Sequence, residues 1–184
     1  MMKSKTDLIT ILVLSAACVA AAGQAQLRGE LSGISEIDLR YHIGKVDEAY
    51  IMLLDRDGIS NYPPWRENFS EHVLGFGVRS ERKRLEEADL ARVKEILLDE
   101  ASFAGEKKMC VSQGDCALLM RSPIGEVLVM FELWCGRIYM RVETRLCGSF
   151  KGHIDPVAPE FQKMVLEYFE DDEYFRDLVN KSKK

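Results

Sequence analysis

CALLMRSPIGEVLVMFELWCGRIYMRVE, residues 116–143, is the stretch whose reading decides the fold. Cys116 to Arg121 is an apolar run. Ser122-Pro123-Ile124-Gly125-Glu126 follows, with proline and glycine where a tight turn uses them. Val127 to Trp134 is almost wholly apolar, as a central strand is, with Glu132 as the exception. Cys135-Gly136-Arg137 turns the chain again, and Ile138, Met140 and Val142 then alternate with Tyr139, Arg141 and Glu143 in the period of a half-buried strand. The stretch predicts a three-strand antiparallel meander over 116–144.

Outward from it, the period changes. Leu90, Val93, Leu97 and Ala101 lie on one face of a helix over 86–101, and Glu87, Arg92, Lys94, Glu95 and Asp99 cover the other. Downstream, Phe161, Met164, Val165, Tyr168 and Phe169 mark a C-terminal helix, continued by Phe175 and Leu178 over 159–179. Upstream, Ile37, Leu39, Tyr41 and Ile43 alternate and predict a strand, and Glu48 to Leu54 predicts a central one. Asp55-Arg56-Asp57-Gly58 reads as a turn, Ile59 to Tyr62 as an antiparallel return ended by Pro63-Pro64, and His72 to Val78 as a strand weakened by Gly75 and Gly77. Without β-α-β alternation, the fold class is α+β: a mostly antiparallel sheet containing the meander, with two main helices packed on it.

Residues 1–25 have the layout of a secretory signal peptide. Lys3 and Lys5 precede an apolar run from Leu8 to Ala22, and Gly23-Gln24-Ala25 supplies small residues for cleavage. That run of 15 residues is shorter than the roughly 20 needed to span a bilayer as a helix. The alternative is a lipoprotein anchored at Cys18, against which stand Ser15 at the third position before the cysteine and the apolar residues beyond it. The predicted organisation is a signal over 1–25, an N-terminal arm over 26–35 and a single globular domain over 36–184. The product is expected in the periplasm or outside the cell, with no membrane attachment after signal removal. Loss of Lys3, Lys5 and Asp7 takes the net charge from −5 to −6, which gives no electrostatic reason to expect nucleic acid as a partner.

Cys110, Cys116, Cys135 and Cys147 remain after cleavage. In an exported chain they suggest disulfides rather than metal ligation, because the spacing lacks the Cys-x2-4-Cys knuckle of structural zinc sites. With the first turn near 124–125, Cys116 falls opposite Leu133, and Cys110, Cys116 and Cys135 gather at one sheet end. The favoured pair is Cys110–Cys135, with Cys116–Cys135 as the alternative. Cys147 would lie some 30 Å off along an extended strand, so it stays unassigned and Trp134 is expected to pack on the disulfide.

No motif specifies a reaction, and no metal or cofactor is expected. His42 and His72 read as strand residues. His153 and Asp155 share a loop, Lys151-Gly152-His153-Ile154-Asp155-Pro156, and form the most site-like pair. Asp55 to Arg66 lacks the glycine and glutamate of a calcium loop. The acidic run from Glu167 to Glu173 reads as a solvated helix face. Glu132 breaks the apolar pattern of its strand and should face a cross-strand cation, such as Arg121 or Arg141, or a pocket.

Leu90 to Leu98, Cys110, Cys116 to Arg121 and Phe131-Glu132-Leu133-Trp134-Cys135 together resemble small exported bacterial proteins of uncharacterised function. Those proteins have a helix, a cysteine-bearing loop, a hairpin and a second cysteine after an apolar strand. The resemblance implies an exported α+β domain and no activity. Two function classes follow. One is a binding, interaction or inhibitor-like protein of the cell envelope, with a protein or small-molecule partner. The other is a small exported hydrolase using His153 and Asp155.

Overall fold

A curled antiparallel sheet, half of a barrel, carries the helices on one face. The structure is a computed structural model that describes residues 29–59, 72–105, 114–143 and 147–182. Strands β1 (Gly29–Ser32), β2 (Glu48–Ile59), β3 (His72–Val73), β4 (Phe76–Val78), β5 (Lys83–Arg84), β6 (Cys116–Ser122), β7 (Gly125–Glu132), β8 (Arg137–Glu143) and β9 (Gly148–His153) alternate with helices α1 (Glu36–Gly44), α2 (Glu87–Leu98), α3 (Ala158–Tyr168) and α4 (Glu173–Ser182). The strand order is β1-β9-β8-β7-β6-β2-β4-β3, with β5 also on β2. The α+β class is therefore correct. The run from β6 continues through four consecutive strands rather than three, and the described residues contain four α-helices rather than two. The expected signal segment, 1–25, lies outside the described residues.

The near-continuous apolar strands are explained by burial on both faces. Ala49, Ile51, Leu53, Leu118, Met120, Val127, Val129, Ile138, Met140 and Val142 point toward the helices and form the larger core. Leu39 and Ile43 of α1, Val93, Ile96 and Leu97 of α2, and Phe161 and Val165 of α3 close it. The alternate residues Met52, Leu54, Ala117, Leu119, Leu128 and Met130 face the other way and pack under Val73 and Phe76. Burying a Leu, Val, Phe or Met side chain contributes about 1.5–3 kcal/mol, so both faces are driven by the same force.

Several elements differ from the sequence reading, each for a local reason. Residues 36–44 form a helix, not a strand. Ser35 caps it, its Oγ accepting from Asp38 N at 3.1 Å and donating to Asp38 Oδ2 at 2.6 Å. Alternation of Ile37, Leu39, Tyr41 and Ile43 also places residues at i and i+4, so Leu39 and Ile43 lie buried on one side while Ile37 and Tyr41 stay exposed. Asp55 to Gly58 is not a turn: β2 runs through it to Ile59, with a register shift between Leu54 and Ile59 against β4. Residues 60–62 of the expected return lie outside the described residues. His72 to Val78 is a hairpin, turned at Leu74 and Gly75, both at positive φ (50° and 87°). Two such residues fit the twist of a two-residue hairpin.

Within the expected N-terminal arm, Gly29–Ser32 pairs with β9 as an edge strand. The expected C-terminal helix breaks into α3 and α4 between Tyr168 and Glu173, so the acidic run straddles a turn rather than lining a helix face. Asp172 starts α4 by accepting Phe175 N–H at 2.7 Å. Tyr168 couples two helices: its hydroxyl accepts Glu86 N–H at 2.7 Å and donates to Asp89 Oδ2 at 2.6 Å, capping α2. No described helix is long and apolar enough to cross a membrane.

Candidate functional site

The register of β7, β8 and β9 sets three rows of side chains across the sheet. Opposed residues of an antiparallel pair share a face. Glu132, Arg137 and His153 form one row; Met130, Tyr139 and Lys151 the next; Leu128, Arg141 and Ser149 the third. All stand on the face turned away from the larger core, because the intervening Phe131, Ile138 and Gly152 belong to the other set.

Two of these rows floor a groove of about 250 Å³. Leu74 and Phe76 of the β3–β4 hairpin form its apolar wall. Met130 and Tyr139 continue the apolar surface, while Arg141, Ser149 and Lys151 supply polar ends. Arg141 is paired with Glu143 at 3.0 Å. The Lys151 ammonium sits 5.6 Å from the centre of the Tyr139 ring, a cation–π distance.

Glu132 heads the neighbouring row and is 1% exposed. Its cation is neither Arg121, which binds Glu126 at 2.8 Å, nor Arg141. It is Arg137, directly opposite on β8, with Nη1 3.3 Å from Glu132 Oε2. Asp115 is buried beside this row and its Oδ2 accepts Trp134 N–H at 3.3 Å.

His153 is the last residue of β9 rather than a loop residue, and its Nδ1 is buried with no hydrogen-bond partner. Asp155 lies in the turn after it, where Ile154 N donates to Gly136 O at 2.7 Å and Asp155 N to Ala104 O at 3.1 Å. A Cβ on Gly136 would stand 1.9 Å from Asp155 Oδ1, and one on Gly105 would stand 2.1 Å from Oδ2 and 3.1 Å from His153 Cβ. The structure thus brings His153 and Asp155 together around Gly105. It places them beyond the groove, with the Asp155 carboxylate clasped between two backbone loops.

Cys116 is buried and forms no disulfide in the structure. The alternative Cys116–Cys135 pairing is therefore not formed. The hairpin turns at Pro123 and Ile124, which sets Cys116 opposite Phe131 instead of Leu133 and points it into the larger core. Burial pushes the Cys116 thiol well above its usual range, and the neighbouring Asp115 charge adds to this. Cys110 lies outside the described residues. Trp134 is 45% exposed at the β7–β8 turn. Among the described residues, no group of three or more His, Cys, Asp and Glu side chains is placed to hold a metal ion.

The comparisons with protein-family models, curated proteins and solved structures gave no significant match.

The groove residues were missed in the sequence because β9, Gly148-Ser149-Phe150-Lys151-Gly152-His153, has one large apolar residue and no readable alternation. The only available signal was the polar set Tyr139, Arg141 and Glu143 on β8, which reads as an ordinary solvated face.

Proposed function

We propose that this is an exported, periplasmic or secreted binding protein that holds a small molecule, or one end of a larger partner, in the groove between the β3–β4 hairpin and β7–β9. The supporting observation is the groove itself: apolar on the hairpin side, polar on the β9 side, and open to solvent. Small-molecule sites have this makeup, a mainly apolar lining with a few placed polar groups. Its volume lies just below the usual ligand range of about 300–1,000 Å³, which suits a compact ligand. In this reading Cys110 pairs with Cys135 and stiffens the sheet end next to the groove.

The hydrolase alternative has weaker support. The Asp155 carboxylate fills the gap between Gly105 and Gly136, a positioning task within the turn, and neither it nor His153 lines the groove.

The test uses the mature protein exposed to envelope extract and examined by native mass spectrometry. Wild type should retain a small-molecule adduct, and Ser149→Trp, which fills the groove from its floor, should lose it while melting normally. Equal adducts on both proteins, or none on either, would reject the groove as the binding site.

A further inference from the structure

The ligand's chemistry can be taken further, on the reading that the groove is the binding site. We propose that the groove selects an amphipathic anion: an apolar skeleton against the hairpin wall, and a carboxylate, sulfonate or phosphate monoester at Lys151, Ser149 and Tyr139.

The polar side of the groove carries three side-chain donors on adjacent rows: the Lys151 ammonium and the Ser149 and Tyr139 hydroxyls. Lys151 and Ser149 are two positions apart on β9, so both project from the same face. Among the described residues the Lys151 ammonium stands 5.6 Å from the centre of the Tyr139 ring, and neither it nor the two hydroxyls makes a side-chain hydrogen bond or ion pair. Donors gathered at the mouth of an apolar groove match an oxyanion, because hydrogen bonds to an ionised acceptor are roughly twice as strong as neutral ones. The Tyr139 ring favours this placement of the lysine, which lessens the side-chain entropy lost on binding.

The remaining charges set the polarity. Arg141 lies one row further along and is paired with Glu143 at 3.0 Å. The Glu143 carboxylate disfavours an anion at that end and directs it to Lys151. Leu74, Phe76 and Met130 lie on the opposite side and present only apolar groups to the rest of the molecule. A neutral ligand would gain nothing from the ammonium, and a cation would be repelled by Lys151.

Two fluorescent probes with one skeleton test this on the full folded protein: 8-anilinonaphthalene-1-sulfonate, and N-phenyl-1-naphthylamine, which lacks the sulfonate. The sulfonated probe should bind about tenfold more tightly. Lys151→Gln should remove that preference and leave the neutral probe's affinity unchanged, and Tyr139→Phe should reduce it in part. Octanoate and octyl phosphate should displace the sulfonated probe, and their order assigns the head group. Equal binding of both probes, with Lys151→Gln inert, would overturn the anion assignment and leave the groove as an apolar site. Binding that persists undiminished in Ser149→Trp, or no binding of either probe, would reject the groove itself. The cooperative melt of each variant confirms that probe binding reports the native state rather than a loosened one.

Discussion

Arg79 and Asp172, ninety-three positions apart, form a two-pronged ion pair in which Nη1 donates to Oδ2 at 2.5 Å and Nη2 to Oδ1 at 2.9 Å. The same carboxylate caps α4 through Phe175 N–H, and Arg79 Nε also donates to Leu54 O at 3.1 Å. One aspartate therefore joins the end of the helical layer to the strand that supports the groove hairpin.

Asp172→Ala should lower stability by about 2 kcal/mol, the sum of a lost cap and a lost paired charge. Asp172→Asn should cost less, since its side-chain oxygen can still cap. Arg79 holds the Asp172 carboxyl below the ordinary carboxylate range, and Arg92 does the same to Glu160. Both groups stabilise the fold above the unfolded carboxylate value of about 4, and that contribution is lost as pH falls through their lower folded values. Urea titrations from neutral pH downward should show a shallower acid decline in Asp172→Asn than in wild type. Parallel curves would remove Asp172 from the acid response.

At alkaline pH the sign reverses. Burial, and then the bond to Asp89, raise the Tyr168 hydroxyl to about 12. Its contribution is complete below the unfolded tyrosine value of about 10 and is lost as pH rises through the folded value. Tyr168→Phe should flatten this alkaline limb, and should also cost about 1 kcal/mol near neutrality through the lost α2 cap. An unchanged limb would assign it to other groups.

Glu132 and Arg137 test the buried end of the sheet. Removing one partner of a buried ion pair leaves the other charge in a low dielectric, at a cost of about 3–5 kcal/mol. Glu132→Leu should therefore destabilise by several kcal/mol, and Glu132→Gln by less because it retains an acceptor for the guanidinium. A double-mutant cycle with Arg137→Leu should recover part of the loss. Additive single effects would show that the two side chains act independently.

Gly136→Ala examines the clasp around Asp155. Gly136 has φ +60°, and its Cβ would collide with the Asp155 carboxylate. The left-handed backbone alone costs a non-glycine residue about 1–2 kcal/mol, and the collision adds to it. Asp155→Ala in the Gly136→Ala background should relieve part of that loss in a thermal melt. If the second change gives no relief, the carboxylate does not fill this gap.

Thiol labelling separates the cysteines. Alkylation of the native protein should modify exposed Cys147 and leave Cys116 intact until unfolding. Under the proposed Cys110–Cys135 pairing, those two should label only after reduction. Closing a loop of that span contributes about 3 kcal/mol in the chain-entropy model, so Cys135→Ser should lower the melting midpoint as far as reductant lowers that of wild type. Native alkylation of Cys135 without reductant would reject the pairing. The mass of the exported product should place its first residue at or near Gln26; retention of residues 1–25, or a lipid on Cys18, would reject the proposed cleavage.

By itself the sequence determined what local period and turn chemistry control. The apolar runs of β6 and β7, the existence of a hairpin between them though not its register, the alternation of β8 and the amphipathic face of α2 were all legible, and with them the α+β class. Tertiary structure decided the cases in which one local pattern fits two conformations. Alternation over Ile37–Ile43 is also a pair of i,i+4 rows, and the Ser35 cap with burial of Leu39 and Ile43 against the core selected the helix. Gly75 could weaken a strand or turn one, and the packing of Val73 and Phe76 over the second sheet face favoured the hairpin. The candidate site was the least legible part. Met130, Tyr139 and Lys151 become neighbours only through the β7–β8–β9 register, a long-range pairing to which β9's own residues contribute almost no hydrophobic signal.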